Sequence, residues 1–199
     1  MKFLYCHGFA SSPQSRKATI FRDLLSRNGI DLEVPALDAG DFEHLTISGQ
    51  LQILDTALDN QPCVLIGSSM GGYLAALYAS LHSEVDRLVL LAPAFDFAPR
   101  WQPKLPPNAP FEVYHYGEKR ARTVHYGLIE DALAFPPIPD FRQPAFIFHG
   151  INDEVVPIDL SREYAAAHPN VRLRELESDH ELLNVLQTIA AESAQFLGF

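Results

Sequence analysis

Short, nearly continuous apolar runs recur along this chain, separated by stretches whose apolar residues fall three or four apart. Residues 3–6, 32–34, 63–66, 88–91, 145–148 and 171–176 form runs of strand length. The third, fourth and fifth are almost unbroken, which is how parallel strands covered on both faces read. Helical spacing lies between them. Ile20, Phe21, Leu24 and Leu25 make one stripe, closed by Asn28-Gly29, a good C-terminal stop. Ile47, Leu51, Leu54 and Leu58 step by four, three and four. Residues 74–81 are small and apolar throughout, as in a buried helix, and Leu182, Leu183, Leu186 and Ile189 mark the last helix. This alternation predicts an α/β fold with a mainly parallel sheet, helices on both faces and right-handed crossovers.

One segment breaks the alternation. Between the fourth and fifth runs, residues 94–143 hold no regular pattern, and about 50 residues are too many for a simple connection. Ten of the 15 prolines lie between Pro93 and Pro144, and nine of the 21 aromatics between Phe95 and Phe141. That proline density argues against a regular sheet or a long helix in its first half. A helix is predicted over residues 119–135. The segment reads as a lid or cap inserted into a single domain spanning 1–199.

Composition narrows the function classes. Fifteen Lys+Arg against 25 Asp+Glu give a formal charge of −10, which argues against a nucleic-acid partner. Residues 94–143 carry six of each sign, so the excess acid lies on the rest of the chain. Hydrophobic residues make up 47%, enough for a core and too many for disorder. Two cysteines, Cys6 and Cys63, make no disulfide framework and read as small buried hydrophobes in neighbouring strands. No apolar run approaches a membrane span, and the chain opens Met1-Lys2-Phe3 directly into a strand, without a signal-peptide pattern. The expectation is a cytoplasmic protein, monomeric by default, with a dimer through an exposed aromatic lid as the alternative.

The candidate chemistry begins at Gly67-Ser68-Ser69-Met70-Gly71, a G-x-S-x-G pattern lying between an apolar strand and an apolar helix. A sharp strand-to-helix turn presents its central side chain above the sheet and demands small neighbours, here Gly67 and Gly71. A serine hydroxyl needs a base, and a base needs an orienting acid. Asp153 follows the strand at 145–148, and His180 follows the strand at 171–176. Ser69, Asp153 and His180 thus occur in the chain order this turn predicts, each just beyond a strand. Asp153 also fits a helix cap, and Asp96, beyond the fourth strand, is the rival acid. His44, His82 and His168 read as surface residues; His115 and His125 in the insertion read as solvated. His149 is expected to brace the Asp153 loop, and Asp179 to point away from His180.

A tetrahedral oxyanion needs N–H donors. Met70, after the nucleophile, and Phe9, in the loop His7-Gly8-Phe9-Ala10-Ser11-Ser12-Pro13, are the expected donors, with His7 shaping that loop and Ser11 and Ser12 either capping the next helix or lining the pocket. Ala10, Phe95, Phe97 and Trp101 are candidates for the substrate pocket; with Phe111, Tyr114 and Tyr116 these aromatics fit a lid that places an apolar acyl or aromatic group over Ser69, and they equally serve to anchor the insertion. No H-E-x-x-H, C-x-x-C, G-x-G-x-x-G or Walker pattern calls for a metal or a nucleotide cofactor.

The loop His7–Lys17 and the stretch Gly67-Ser68-Ser69-Met70-Gly71-Gly72-Tyr73 resemble the α/β-hydrolase superfamily, in particular its small bacterial YqiA/YcfP-type esterase-like group. The resemblance implies ester or thioester hydrolysis without a cofactor, with Ser69, Asp153 and His180 as the triad and Phe9 and Met70 as the oxyanion hole. The expectation is therefore an α/β-hydrolase fold of about six strands in the order 2-1-3-4-5-6, cleaving small to medium carboxylic esters through an acyl-enzyme. The alternatives are a thioesterase acting on acyl-CoA or another anionic thioester, whose cue would be a basic pocket, and a non-catalytic ligand- or partner-binding protein.

Overall fold

A computed structural model describes residues Met1–Phe199. Six strands form one parallel sheet: β1 (Lys2–Cys6), β2 (Leu32–Glu33), β3 (Cys63–Ser68), β4 (Val85–Leu91), β7 (Ala145–Gly150) and β8 (Val171–Leu176). Their spatial order is β2-β1-β3-β4-β7-β8, which is 2-1-3-4-5-6 when these six are counted along the chain. The central strands are buried on both sides, as their unbroken apolar runs imply. Phe3, Tyr5, Val64, Ile66, Val89 and Phe148 join the core with α1 (Arg16–Arg27) and α7 (Leu186–Leu197). Leu4, Cys6, Leu65, Leu88, Leu90 and Ile147 join the larger core with α2 (Ile47–Leu58), α3 (Met70–Leu81) and α6 (Ile158–Ala167). A register row Leu4–Leu65–Leu88–Ala145 runs through that second layer. Every residue of α3 from Met70 to Ala79 is buried, so it needs no polar stripe.

Local details depart from the sequence pattern at identifiable places. Helix α1 is capped by Ser15, whose Oγ accepts the Ala18 N–H at 3.3 Å, and not by Ser11 or Ser12. Helix α7 begins at Leu186, after Leu182 in a left-handed conformation and a single 3-10 turn over Leu183–Val185. The cause is Asp179, whose Oδ1 accepts the N–H groups of Glu181 and Leu182 and turns the chain before the helix starts. Cys6 and Cys63 lie on adjacent strands, yet Cys63 pairs with Lys2 and Cys6 with Gly67, so they sit at opposite ends of that pair. No helix is long and apolar enough to cross a membrane.

The insertion is more ordered than its prolines suggest. It contains α4 (Phe97–Trp101), an antiparallel hairpin of β5 (Phe111–His115) and β6 (Arg120–Val124), and α5 (Gly127–Ala132). The helix expected over 119–135 is therefore strand in its first part and only six residues of helix in its second. Cross-strand pairing and burial of Phe111 and Val124 override the helix propensity of Lys119-Arg120-Ala121-Arg122. Pro110 directly precedes β5, where its missing N–H costs no ladder bond. Scaffold tyrosines anchor the proline-rich return. The Tyr73 hydroxyl donates to Pro136 O at 3.0 Å, and the Tyr164 hydroxyl to Pro139 O at 2.8 Å.

Candidate active site

Ser69 sits at φ 55°, ψ −120°, between β3 and α3. A non-glycine residue there is strained, and the strain is held by surroundings that allow nothing else. A Cβ on Gly67 would lie 2.3 Å from Gly71 O, and one on Gly71 would lie 2.1 Å from Cys6 O. Both glycines are thus fixed by close backbone approach. The Ser69 N–H donates to Leu91 O at 2.9 Å, pinning the turn to β4.

The three side chains picked out by chain order meet here. Ser69 Oγ lies 3.0 Å from His180 Nε2, and His180 Nδ1 lies 2.7 Å from Asp153 Oδ2. The geometry fits a hydroxyl donating to Nε2 and an Nδ1–H donating to the carboxylate. Asp153 has no exposed side-chain surface. Burial alone would raise its pKa, but hydrogen bonds from His149, His180 and the Val156 N–H outweigh burial and hold it well below the usual carboxylate range. Oδ1 accepts the N–H groups of Val155 and Val156 at 2.9 and 2.8 Å, so Asp153 makes the local turn as well as facing His180. His149 lies 3.1 Å from Asp153 Oδ2 and braces this loop from below. Its Nδ1 is 2.8 Å from Ser161 Oγ and its Nε2 3.1 Å from Val156 O, both buried contacts.

The acid and histidine loops are brought together by Gly150, which the sequence pattern did not single out. A Cβ there would lie 2.4 Å from Ser178 O, so only glycine lets the ends of β7 and β8 approach. Asn152 N–H then donates to Ser178 O at 3.0 Å. Asp96, the rival acid, is instead the left-handed residue at the start of α4, its N–H donating to Pro137 O. Asp179 turns away from His180, as expected.

The backbone N–H groups of Phe9 and Met70 make no hydrogen bond within the protein. The Phe9 loop is shaped by the buried His7, which lies 3.0 Å from Gly8 O and accepts the Leu37 N–H at 3.4 Å. Burial pulls the His7 ring below the usual histidine value, keeping it neutral.

A cavity of about 510 Å³ opens at Ser69 and His180. Phe9 and Trp101 line it, with ring centroids 5.3 Å apart. Ala10, Phe95 and Phe97 do not: they are buried, and Phe95 and Phe97 contact Tyr164 and Tyr73 in the core. These two aromatics serve as anchors because the chain enters the insertion beneath the rim. A further wall is the β5–β6 turn, of which the sequence pattern singles out Tyr116 but not Gly117 or Lys119. Tyr116, Gly117 and Lys119 line the cavity, and the Tyr116 N–H donates to Ala10 O at 2.7 Å. Gly117 packs so closely on Ser12 that a Cβ would come within 2.8 Å. Ser11 and Ser12 line the cavity, the role left open beside helix capping. His115, expected in solvent, is buried against Phe42 at 4.6 Å. His44 is exposed, while His82 and His168 are half-buried and stack on Tyr78 and Tyr164.

The fold is shared with proteins of known structure. Est1E from Butyrivibrio proteoclasticus superposes with a TM-score of 0.81 at 19% identity, covering 98% of this chain and 86% of its own. Alpha/beta hydrolase domain-containing protein 10 from mouse gives 0.82 at 20%, covering 98% and 89%. A monoacylglycerol lipase from Paleococcus ferrophilus gives 0.78 at 14%, covering 98% and 93%. No curated protein matches the chain. The family model described as Uncharacterised protein family UPF0227 matches residues 2–196. With nearly its whole length inside that match and its sheet built as in the α/β hydrolases, the chain belongs to family UPF0227 and carries the α/β-hydrolase fold.

Proposed function

We propose that the protein is a serine hydrolase that cleaves small to medium carboxylic esters through an acyl-enzyme. The observation that carries this reading is the hydrogen-bonded sequence Ser69–His180–Asp153, with Ser69 on a strained turn facing the cavity. Ser69 Oγ attacks the ester carbonyl carbon as its proton passes to His180 Nε2. The carbonyl oxygen becomes an oxyanion facing the N–H groups of Phe9 and Met70. Asp153 stays ionised and stabilises the imidazolium. Collapse of the intermediate breaks the ester C–O bond, and His180 returns the proton to the leaving alcohol. A water molecule then repeats the sequence on the acyl-enzyme and restores Ser69. Residues 94–143 act as a cap on a single domain, the β5–β6 turn walling the cavity. The fold shared with a lipase supports this reading.

Labelling with a fluorophosphonate tests it. Wild type is expected to label and Ser69→Ala not to; equal labelling would overturn the nucleophile assignment and leave a binding protein. Kinetics on aryl esters and acyl-CoA thioesters of graded length then divide ester from thioester hydrolysis.

A further inference from the structure

The cavity at Ser69 is charged opposite to the protein around it. The chain carries −10, yet Arg16, Lys17 and Lys119 line this cavity against a single acidic residue, Glu181. Arg16 and Lys119 are exposed at its rim. Lys17 is different: its side chain is 12% exposed, and its Nζ makes no hydrogen bond, with Glu181 Oε2 4.0 Å away and itself 56% exposed. A buried ammonium without a hydrogen-bonding partner is costly, so its place beside the catalytic candidates calls for an anion to complete it. Burial pulls Lys17 below the usual lysine value, while Glu181, Asp153 and Asp179 pull the other way.

A second orphan donor lines the same cavity. The Tyr5 hydroxyl, beside Ser68 and fully buried, makes no hydrogen bond of ordinary geometry. Burial pushes its pKa above the usual tyrosine value, so it remains a neutral O–H donor. The N–H groups of Arg16 and Lys17, first in α1, also find no backbone acceptor. Donors and cations therefore share one cavity with Ser69, with the aromatic pair Phe9–Trp101 on the lining as well.

We propose that the substrate is an ester bearing an anionic oxyacid group, a carboxylate or phosphate, close to the scissile bond, and that Lys17 is the residue that selects it. This rests on the serine-hydrolase reading and names its substrate class. Lys17 grips the anion directly, the Tyr5 hydroxyl and the start of α1 add donors, and Arg16 and Lys119 draw anions to the mouth.

The test compares kcat/KM for charged and neutral ester pairs. p-Nitrophenyl hydrogen glutarate against p-nitrophenyl pentanoate places the charge on the acyl side. 4-Carboxyphenyl butyrate against phenyl butyrate places it on the leaving side. The charged-to-neutral ratio in wild type, divided by that in Lys17→Met, cancels intrinsic reactivity. It is expected to reach about tenfold or more for one pair, with Lys17→Arg restoring most of it. Competitive inhibition by glutarate or by inorganic phosphate then tells a carboxylate from a phosphate site. If wild type hydrolyses the neutral esters and the double ratio stays near one for both pairs, with neither anion inhibiting, this inference fails while the hydrolase reading stands. If no ester is hydrolysed and fluorophosphonate does not label Ser69, both fall. A thermal melt of each variant confirms that it is folded.

Discussion

The strand-end loops and the β5–β6 turn reach the same cavity by different means. The loops are held from inside the sheet. Ser69 is pinned by Leu91 O and two glycine contacts, and four N–H donors hold Asp153. The turn of the insertion is held by Tyr116 N–H on Ala10 O, by Gly117 against Ser12, and by the Glu118 N–H on the His115 ring, which is buried against Phe42. Farther out, the Arg100 guanidinium donates to Val155 O at 2.8 Å and ties α4 to the acid loop. The loops are thus fixed by close backbone approach and a buried carboxylate, while the position of the turn depends on a few separate contacts. The chemistry proposed for Ser69 and the selection of substrate therefore rest on parts that can be broken separately.

The largest effect is expected at the most rigid point. Asp153→Asn should lower kcat by about 10³–10⁴-fold in a folded protein, measured by steady-state kinetics. Because the folded Asp153 carboxyl lies below its unfolded value of about 3.9, its stabilisation is full above that value and fades as pH falls toward the folded one. The urea stability gap between wild type and Asp153→Asn should accordingly narrow as pH falls below about 4. A gap that widens in acid would contradict the burial and bonding described for this carboxylate.

Removing the brace under the loop should cost less. His149→Leu leaves Ser161 Oγ and Val156 O without their buried partner. It should lower Tm by about 2–10 °C and kcat by about tenfold, through a loosened Asp153. An unchanged kcat would separate the loop's stability from its function.

A change in the insertion should move a different constant. Gly117→Ala pushes the turn off Ser12 and is expected to raise KM about threefold or more while kcat stays within about twofold. A fall in kcat alone would erase the contrast between the two regions.

The smallest effect is a gain. Lys17 has a folded value below its unfolded one, so the ammonium opposes folding throughout the neutral range, and its burial ceases to cost stability only above about pH 10. Lys17→Met should raise Tm by about 2–4 °C at pH 7 in the absence of ligand, followed by calorimetry. A lower Tm would mean that Glu181 already compensates the buried charge.

Much of this architecture is legible along the chain because its causes are local. Unbroken runs such as 63–66 and 145–148 report burial on both faces, and strand–helix alternation leaves few right-handed topologies, so the strand order follows. The positions of Ser69, Asp153 and His180 are legible for a related reason: in a parallel sheet, loops beyond the strand C-termini share one edge. Gly67 and Gly71 announce the tight turn because no side chain fits there. The insertion resists the same reading. Lys119–Arg122 have helix-forming side chains, yet pairing with β5 makes strand of Arg120–Val124. Phe95 and Phe97 are as apolar as Phe9, and no periodicity tells an anchor from a wall. Gly150 stands in the sequence without a motif, since its reason is a carbonyl 28 residues away.

The layered α/β fold, the strand order and the three side chains that meet at one sheet edge can be read along the chain, since each follows from periodicity, chain order and steric necessity at short range. What surrounds them is settled in three dimensions. The tertiary structure sets Lys17, the Tyr5 hydroxyl and Lys119 from three distant parts of the chain around one cavity, so that a protein of net charge −10 presents a cationic pocket. Charge and hydrogen-bonding need add through space, and spatial sums of this kind leave no pattern in a linear order of residues.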